Sequence, residues 1–359
     1  MTALAPSNRL RRTWWTDAVE AAGVSAFTVY NKTLLPVVFE SPSEDCRHLK
    51  SAVQVWDVAC ERQIRIEGPD ATKLMQRLTP RDLDRIKPGK CAYVPICDVN
   101  GGMLNDPVAL QPFPGVWWIS LADSDLALWV EGVAMGAGYD VSVSEPDVQI
   151  LAVQGPWAGD LAAEVFGEDT RDIPFFGFKW LPFENGKVLV ARSGYSKQGG
   201  FEIYVTDPAL ATPLWDTLMS KGQPFDIRAG CPSGPERIEG GMLSYGNDMT
   251  RADTPFEAGL GRYVQRFDCI GGAALRAHVA SRKIVAVELE GVPPVCDREW
   301  PLMDGDVQAG RIRSAAWSDE FQCGVAIGMV GMNWEPGDRL TCVTQDGEIA
   351  ATIQERFWK

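Results

Sequence analysis

Glu202 and Tyr204 stand two apart in the run Phe201-Glu202-Ile203-Tyr204-Val205, so strand alternation projects a carboxylate and a phenol side by side on one face. Phe201, Ile203 and Val205 fall on the other. Just upstream lies a glycine-rich loop, Ser193-Gly194-Tyr195-Ser196-Lys197-Gln198-Gly199-Gly200, carrying an aromatic ring and an ammonium. A carboxylate can grip a forked pair of N–H groups, and a ring can cover a cation. A second acid, Asp106, sits in Asn105-Asp106-Pro107, where an ordinary turn would use the same residue types. Arg237, two residues before Glu239, can hold a ligand or serve an internal salt bridge, since buried arginines are paired. Tyr93 follows Lys90-Cys91-Ala92 in a strand leading toward Asp106.

Other chemistries lack carriers. The 359 residues contain two histidines, His48 and His278, in no zinc-binding or Ser-His-Asp setting, so no metal is expected. The nine cysteines (46, 60, 91, 97, 231, 269, 296, 323 and 342) are scattered without a Cys-x-x-Cys, which predicts buried thiols rather than disulfides or a zinc site. No Gly-x-Gly-x-x-Gly follows a strand, and no phosphate-binding lysine loop occurs. A net charge of −14 without a basic run argues against nucleic acid. No apolar run reaches the roughly 18–20 residues a bilayer requires, so no membrane association is expected. Arg11-Arg12 is followed by Trp14-Trp15 and Thr16-Asp17 instead of an apolar signal, and the expected location is the cytoplasm.

The elements that must position these groups read as α+β. Strand segments at Val53–Trp56 and Gln63–Glu67 precede Gly68-Pro69 and a helical pattern through Leu78. A similar order recurs 87 positions later, where Val148–Val153 precedes Gly155-Pro156 and a helix from Trp157 to Phe166, each proline being placed in the first helical turn. Val116–Leu121 is a strand ending at Asp123-Ser124-Asp125, side chains expected to cap the helix Leu126–Met135. Val188–Arg192 and Phe201–Val205 are strands joined by the glycine-rich loop. From about Lys283 onward only short strands are expected, at 284–289, 307–312, 325–330, 339–344 and 349–355, with Asp304-Gly305 and Asp346-Gly347 as hairpin signals.

Four local sequences, taken in order, resemble one family. They are Asn100-Gly101-Gly102-Met103-Leu104-Asn105-Asp106-Pro107; Arg192-Ser193-Gly194-Tyr195 with Gly200–Val205; Glu236–Gly241 followed by Ser244-Tyr245-Gly246-Asn247-Asp248; and Thr254-Pro255-Phe256-Glu257-Ala258-Gly259-Leu260. They are similar to the tetrahydrofolate-dependent aminomethyltransferases, the T-proteins of glycine cleavage, from about Tyr30 to the C-terminus. Thr28-Val29-Tyr30-Asn31, Val53 to Gln63, Ala122-Asp123-Ser124-Asp125, Ser196-Lys197-Gln198-Gly199-Gly200 and Arg228-Ala229-Gly230-Cys231-Pro232 further resemble the family's dimethylsulfoniopropionate-demethylating branch. That branch usually carries tryptophan where Tyr195 stands here, and Gly234-Pro235 replaces its bulkier or polar residues.

The resemblance implies an α+β, three-domain cloverleaf around a folate cavity, with a C-terminal all-β domain of barrel or jelly-roll type. Residues 1–282 would form two interleaved domains, about 1–50 with 140–235 and 51–139 with 236–282, and 283–359 the third. It implies methyl transfer from a small-molecule donor to N5 of tetrahydrofolate, an in-line displacement in which positive charge leaves sulfur and appears on nitrogen. Asp106 would be the catalytic carboxylate near N5; Glu202, Arg237, Tyr93 and Tyr195 would bind folate; Tyr204, Tyr195 and Lys197 would bind the donor, with Trp117, Trp118 and Trp180 as further aromatic candidates. A betaine or dimethylglycine-like donor, a non-catalytic folate-binding role and a homodimer stay open.

Overall fold

The computed structural model describes residues 7–359, which fall into two compact units. The first comprises the described residues up to Thr72 together with Ile86–Ala92 and Val108–Pro232; the second comprises Lys73–Arg85, Tyr93–Pro107 and Ser233–Lys359.

In the first unit a six-stranded sheet runs in the order Phe178–Phe183, Gly186–Ala191, Gly200–Val205, Gln149–Gln154, Gln54–Asp57 and Arg228–Gly230. All pairings are antiparallel except the last. The expected alternation at 201–205 is present. Phe201, Ile203 and Val205 join Val55, Leu151, Val153 and Val190 against the helices Ala158–Phe166 and Ala211–Lys221. Tyr204 points the other way, into a cluster with Trp56, Trp118, Leu189 and Ala191. Trp118 comes from Val116–Ser120, which pairs with Gln63–Glu67 and Val108–Phe113.

Both Gly-Pro echoes are strand, turn, helix, but the prolines stand outside the helices Ala71–Leu78 and Ala158–Phe166. Ala71 N–H donates to Gly68 O and Ala158 N–H to Gly155 O, each at 3.1 Å, so proline occupies the second position of a tight turn, where its fixed φ is suited. Gly155 needs its glycine: φ is +130° and a Cβ would lie 2.0 Å from Ala52 O.

The expected cap at 123–125 is corrected. Asp125 precedes the helix Leu126–Ala137 without a side-chain bond to it. Asp123 Oδ1 instead accepts Asn31 N–H at 2.9 Å, and Ser124 N–H donates to Asn31 Oδ1 at 3.1 Å. Asn31 and Lys32, with φ of 49° and 60°, form the tight turn between Ala26–Tyr30 and Thr33–Val38. The acidic loop is therefore recruited to satisfy a buried asparagine.

The second unit holds a closed six-stranded antiparallel barrel. Its strands are Arg282–Leu289, Trp300–Asp304, Val307–Ser318, Cys323–Gly331, Arg339–Thr344 and Gly347–Gln354. Trp300–Asp304 falls outside the strands expected from the sequence, although the expected Asp304-Gly305 hairpin signal closes it. It is held by pairing on both sides, and the Trp300 indole donates to Gln345 Oε1 at 2.8 Å. The strand expected to end at Ile312 continues to Ser318, past a register irregularity between Ile312 and Ser314. The hairpin Ile96–Cys97 with Met103–Asn105 sets up Asp106. Its turn is fixed by Asp98 Oδ1, which accepts Asn100 and Gly102 N–H at 2.8 and 3.1 Å. All nine cysteines are free thiols. No helix among the described residues is long and apolar enough to cross a membrane.

Candidate active site

In the first unit Glu202 is buried at 7% exposure and accepts a short hydrogen bond from the Ser193 hydroxyl. Burial raises its pKa above the ordinary carboxylate range, and the Ser193 bond opposes that rise. Among the described residues Glu202 makes no ion pair, so its charge has a neutral donor where buried carboxylates usually have a cation. Tyr204 has no exposed surface; its ring stacks on Trp118 at 6.3 Å and its hydroxyl lies 3.3 Å from Ser120 Oγ. Tyr204 therefore stands on the expected face of the strand, within the Trp118 cluster. Tyr195 is half-buried against the same cluster, and Lys197 is exposed at the loop tip. Trp118 is 3% exposed with its Nε1 lacking an acceptor, an orphaned donor beside Tyr204. Trp180 meets Trp118 edge-on at 6.3 Å, while Trp117 donates to Thr72 Oγ1 at 3.0 Å.

In the second unit Asp106 is half-buried directly after the Met103–Asn105 strand. Its N–H is taken by Asn105 Oδ1 at 3.0 Å, and its Oδ2 accepts a short bond from the Tyr93 hydroxyl. Its pKa is pushed up to about 7, chiefly by burial, with the charge of Asp248 adding, against the Tyr93 and backbone bonds. Tyr93 packs on Tyr263 with ring centres 5.2 Å apart. The Arg81 and Arg262 guanidiniums lie 4.9 and 4.7 Å from the Tyr263 ring centre. Tyr245 donates to Met103 O at 3.0 Å, pinning the strand that carries Asp106.

Arg237 is engaged internally. Nη1 pairs with Asp248 Oδ2 at 2.7 Å and Nη2 donates to Ser314 Oγ at 2.8 Å, while Ser314 donates to Asp248 Oδ1 at 2.6 Å. With Asp248 wholly buried and the arginine side chain 12% exposed, the internal salt bridge is realised. The helix Gly234–Glu239 presents Arg237 and starts at Ser233, whose hydroxyl accepts Glu236 N–H at 3.4 Å.

Thus the expected candidates resolve into two groups, each built within its own unit: Glu202, Tyr204, Tyr195 and Lys197, and Asp106, Tyr93 and Arg237. Ser193, Gln154, Asp248, Tyr245 and Tyr263 were not singled out from the sequence. All except Gln154 and Tyr263 lie inside the four local sequences quoted above, which was the available signal.

The chain matches the GCVT N-terminal domain over residues 15–267 and the glycine cleavage T-protein C-terminal barrel domain over 282–358. It belongs to the glycine cleavage T-protein family. Within that family it is 51% identical to dimethylsulfoniopropionate demethylase DmdA of Ruegeria pomeroyi, over the whole of both chains. It is 28% identical to the aminomethyltransferase of Bacillus cereus, covering 85% of this chain and 86% of that one. The crystal structure of the aminomethyltransferase T from Bartonella henselae superposes with a TM-score of 0.85 at 22% identity, over 98% of this chain and 100% of that one. The T-protein fold expected from the four local sequences, with its C-terminal β-barrel, is therefore the fold of this chain.

Proposed function

We infer that this T-protein family member is a tetrahydrofolate-dependent methyltransferase that demethylates dimethylsulfoniopropionate. The full-length 51% identity to a dimethylsulfoniopropionate demethylase carries this reading. The S–CH3 bond breaks with its electron pair retained on sulfur, which leaves as the neutral thioether of methylmercaptopropionate, its carboxylate unchanged. The N5–CH3 bond forms and the N5 proton departs, giving 5-methyltetrahydrofolate.

Tetrahydrofolate supplies the nucleophilic nitrogen. The residues present suit it, because a buried carboxylate without a cation is completed by the forked N–H edge of a pterin. We assign that edge to Glu202 and its orientation to Ser193. Tyr195 offers a half-buried ring to pterin or onium, and Lys197 an ammonium to the donor carboxylate. Holding the reactants aligned and dry supplies on the order of 7–11 kcal/mol of the barrier.

Asp106 is assigned to the charge that develops on N5, where a carboxylate is worth more in the transition state than in the ground state. With a pKa of about 7 it can also take up the released proton, and Tyr93 holds the receiving oxygen in place. Arg237 acts at one remove by fixing Asp248, whose charge helps to set the pKa of Asp106. Tyr204 acts through Trp118 and Ser120.

The division into two interleaved domains and a barrel, the cytoplasmic location and a homodimer remain part of the proposal; light scattering reads the last. The function is tested by incubating the protein with tetrahydrofolate and measuring 5-methyltetrahydrofolate. Product from dimethylsulfoniopropionate supports it, and no product overturns it. Tyr195, a tyrosine where the demethylating branch usually has tryptophan, favours running betaine and dimethylglycine in parallel.

A further inference from the structure

Gln154 ends the strand Gln149–Gln154 and has no exposed surface. Its amide is bonded to the 193–200 loop from both ends. Nε2 donates to the Ser193 carbonyl at 3.3 Å, and Oε1 accepts the Ser196 hydroxyl at 2.7 Å. Two loop glycines make room for it. A Cβ at Gly194 would sit 2.0 Å from Gln154 Nε2 and one at Gly200 2.4 Å from it, with φ of +144° and +157°. The following Gly155 N–H donates to Gly199 O at 3.1 Å, closing the far end. The loop is thus wound around one buried side chain, and its residue Ser193 donates to Glu202.

We propose that Gln154 is a positioning residue for folate: it holds the 193–200 loop so that Ser193 presents the Glu202 carboxylate to the pterin edge. The inference rests on the assignment of Glu202 to the pterin. The amide type matters. It supplies one donor and one acceptor without charge, whereas a carboxylate there would lose the bond to the Ser193 carbonyl and add a like charge beside a buried acid. A leucine would fill similar volume and leave two polar groups unpaired.

The test uses the full chain, with calorimetric titration of tetrahydrofolate and steady-state kinetics. Glu202→Gln comes first: an unchanged folate Kd overturns the Glu202 assignment itself. Given a weakened Kd there, Gln154→Leu is expected to raise the folate Kd and KM about tenfold while kcat changes less than about threefold. In the double variant Gln154→Leu/Glu202→Gln the two losses should merge instead of multiplying, because both act on one contact. An unchanged Kd in Gln154→Leu, an equal fall in kcat, or losses that multiply overturns the inference. Should Gln154→Leu fail to fold, Ser196→Ala removes one bond from the loop and carries the same cycle, with an expected loss of about threefold.

Discussion

Glu202 and Asp106 are both carboxyls raised above their usual range by burial, and each receives one hydroxyl bond, yet their surroundings differ. Glu202 lies in the middle of a sheet beside an aromatic and aliphatic cluster, with a serine from a tightly wound loop as its donor. Asp106 follows a short hairpin strand, receives a phenol, and feels the like charge of Asp248, itself clamped by Arg237 and Ser314. A rigid acceptor in an apolar setting is suited to recognition. An acid whose pKa lies near neutrality and whose neighbour is another acid is suited to a change of charge. Environment, more than residue type, separates binding from chemistry here.

The contrast is broken or sharpened by four measurements. Asp106→Ala should lower kcat by about a thousandfold while the folate Kd moves less than about threefold. Equal loss of both would make Asp106 a second binding acid. Glu202→Gln should do the reverse, raising the folate Kd about thirtyfold with a smaller change in kcat. Wild-type turnover should rise with pH through about 7 as Asp106 ionises, and Tyr93→Phe should move that limb upward by about 0.5–1, since the lost hydroxyl bond favours the carboxylate. A shift downward would mean that Tyr93 acts elsewhere. The smallest effect concerns stability. A raised carboxyl pKa contributes stability that is complete below the unfolded value near 4 and is lost as pH rises through the folded value near 7. Asp106→Asn should therefore raise Tm by about 3 °C at pH 8 and change it little at pH 4, read by thermal scanning. Equal shifts at both pH values would remove the buried charge as the cause.

Local pattern carried the elements. The period-2 alternation at 201–205 placed Glu202 and Tyr204 on one face, and the hairpin signals and strand runs after Lys283 placed most of the barrel. It failed where a partner distant in sequence decided the outcome. The local rule makes Asp123-Ser124-Asp125 a helix cap, but the demand of buried Asn31 wins. The strand Trp300–Asp304 contains a proline, and pairing with a neighbouring strand on each side holds it.

The sequence by itself determined the α+β class, the β-rich C-terminal region, the family and the identity of the two acids, because periodicity, turn chemistry and motif order are local properties of the chain. Only the tertiary structure decided what those acids experience. It put Tyr204 wholly inside, spent Arg237 on Asp248 and wound a loop around Gln154. Burial and hydrogen-bond partners arise from residues between 9 and 84 positions apart, brought together only by the fold, and no spacing along the chain encodes which of two polar groups will reach the other.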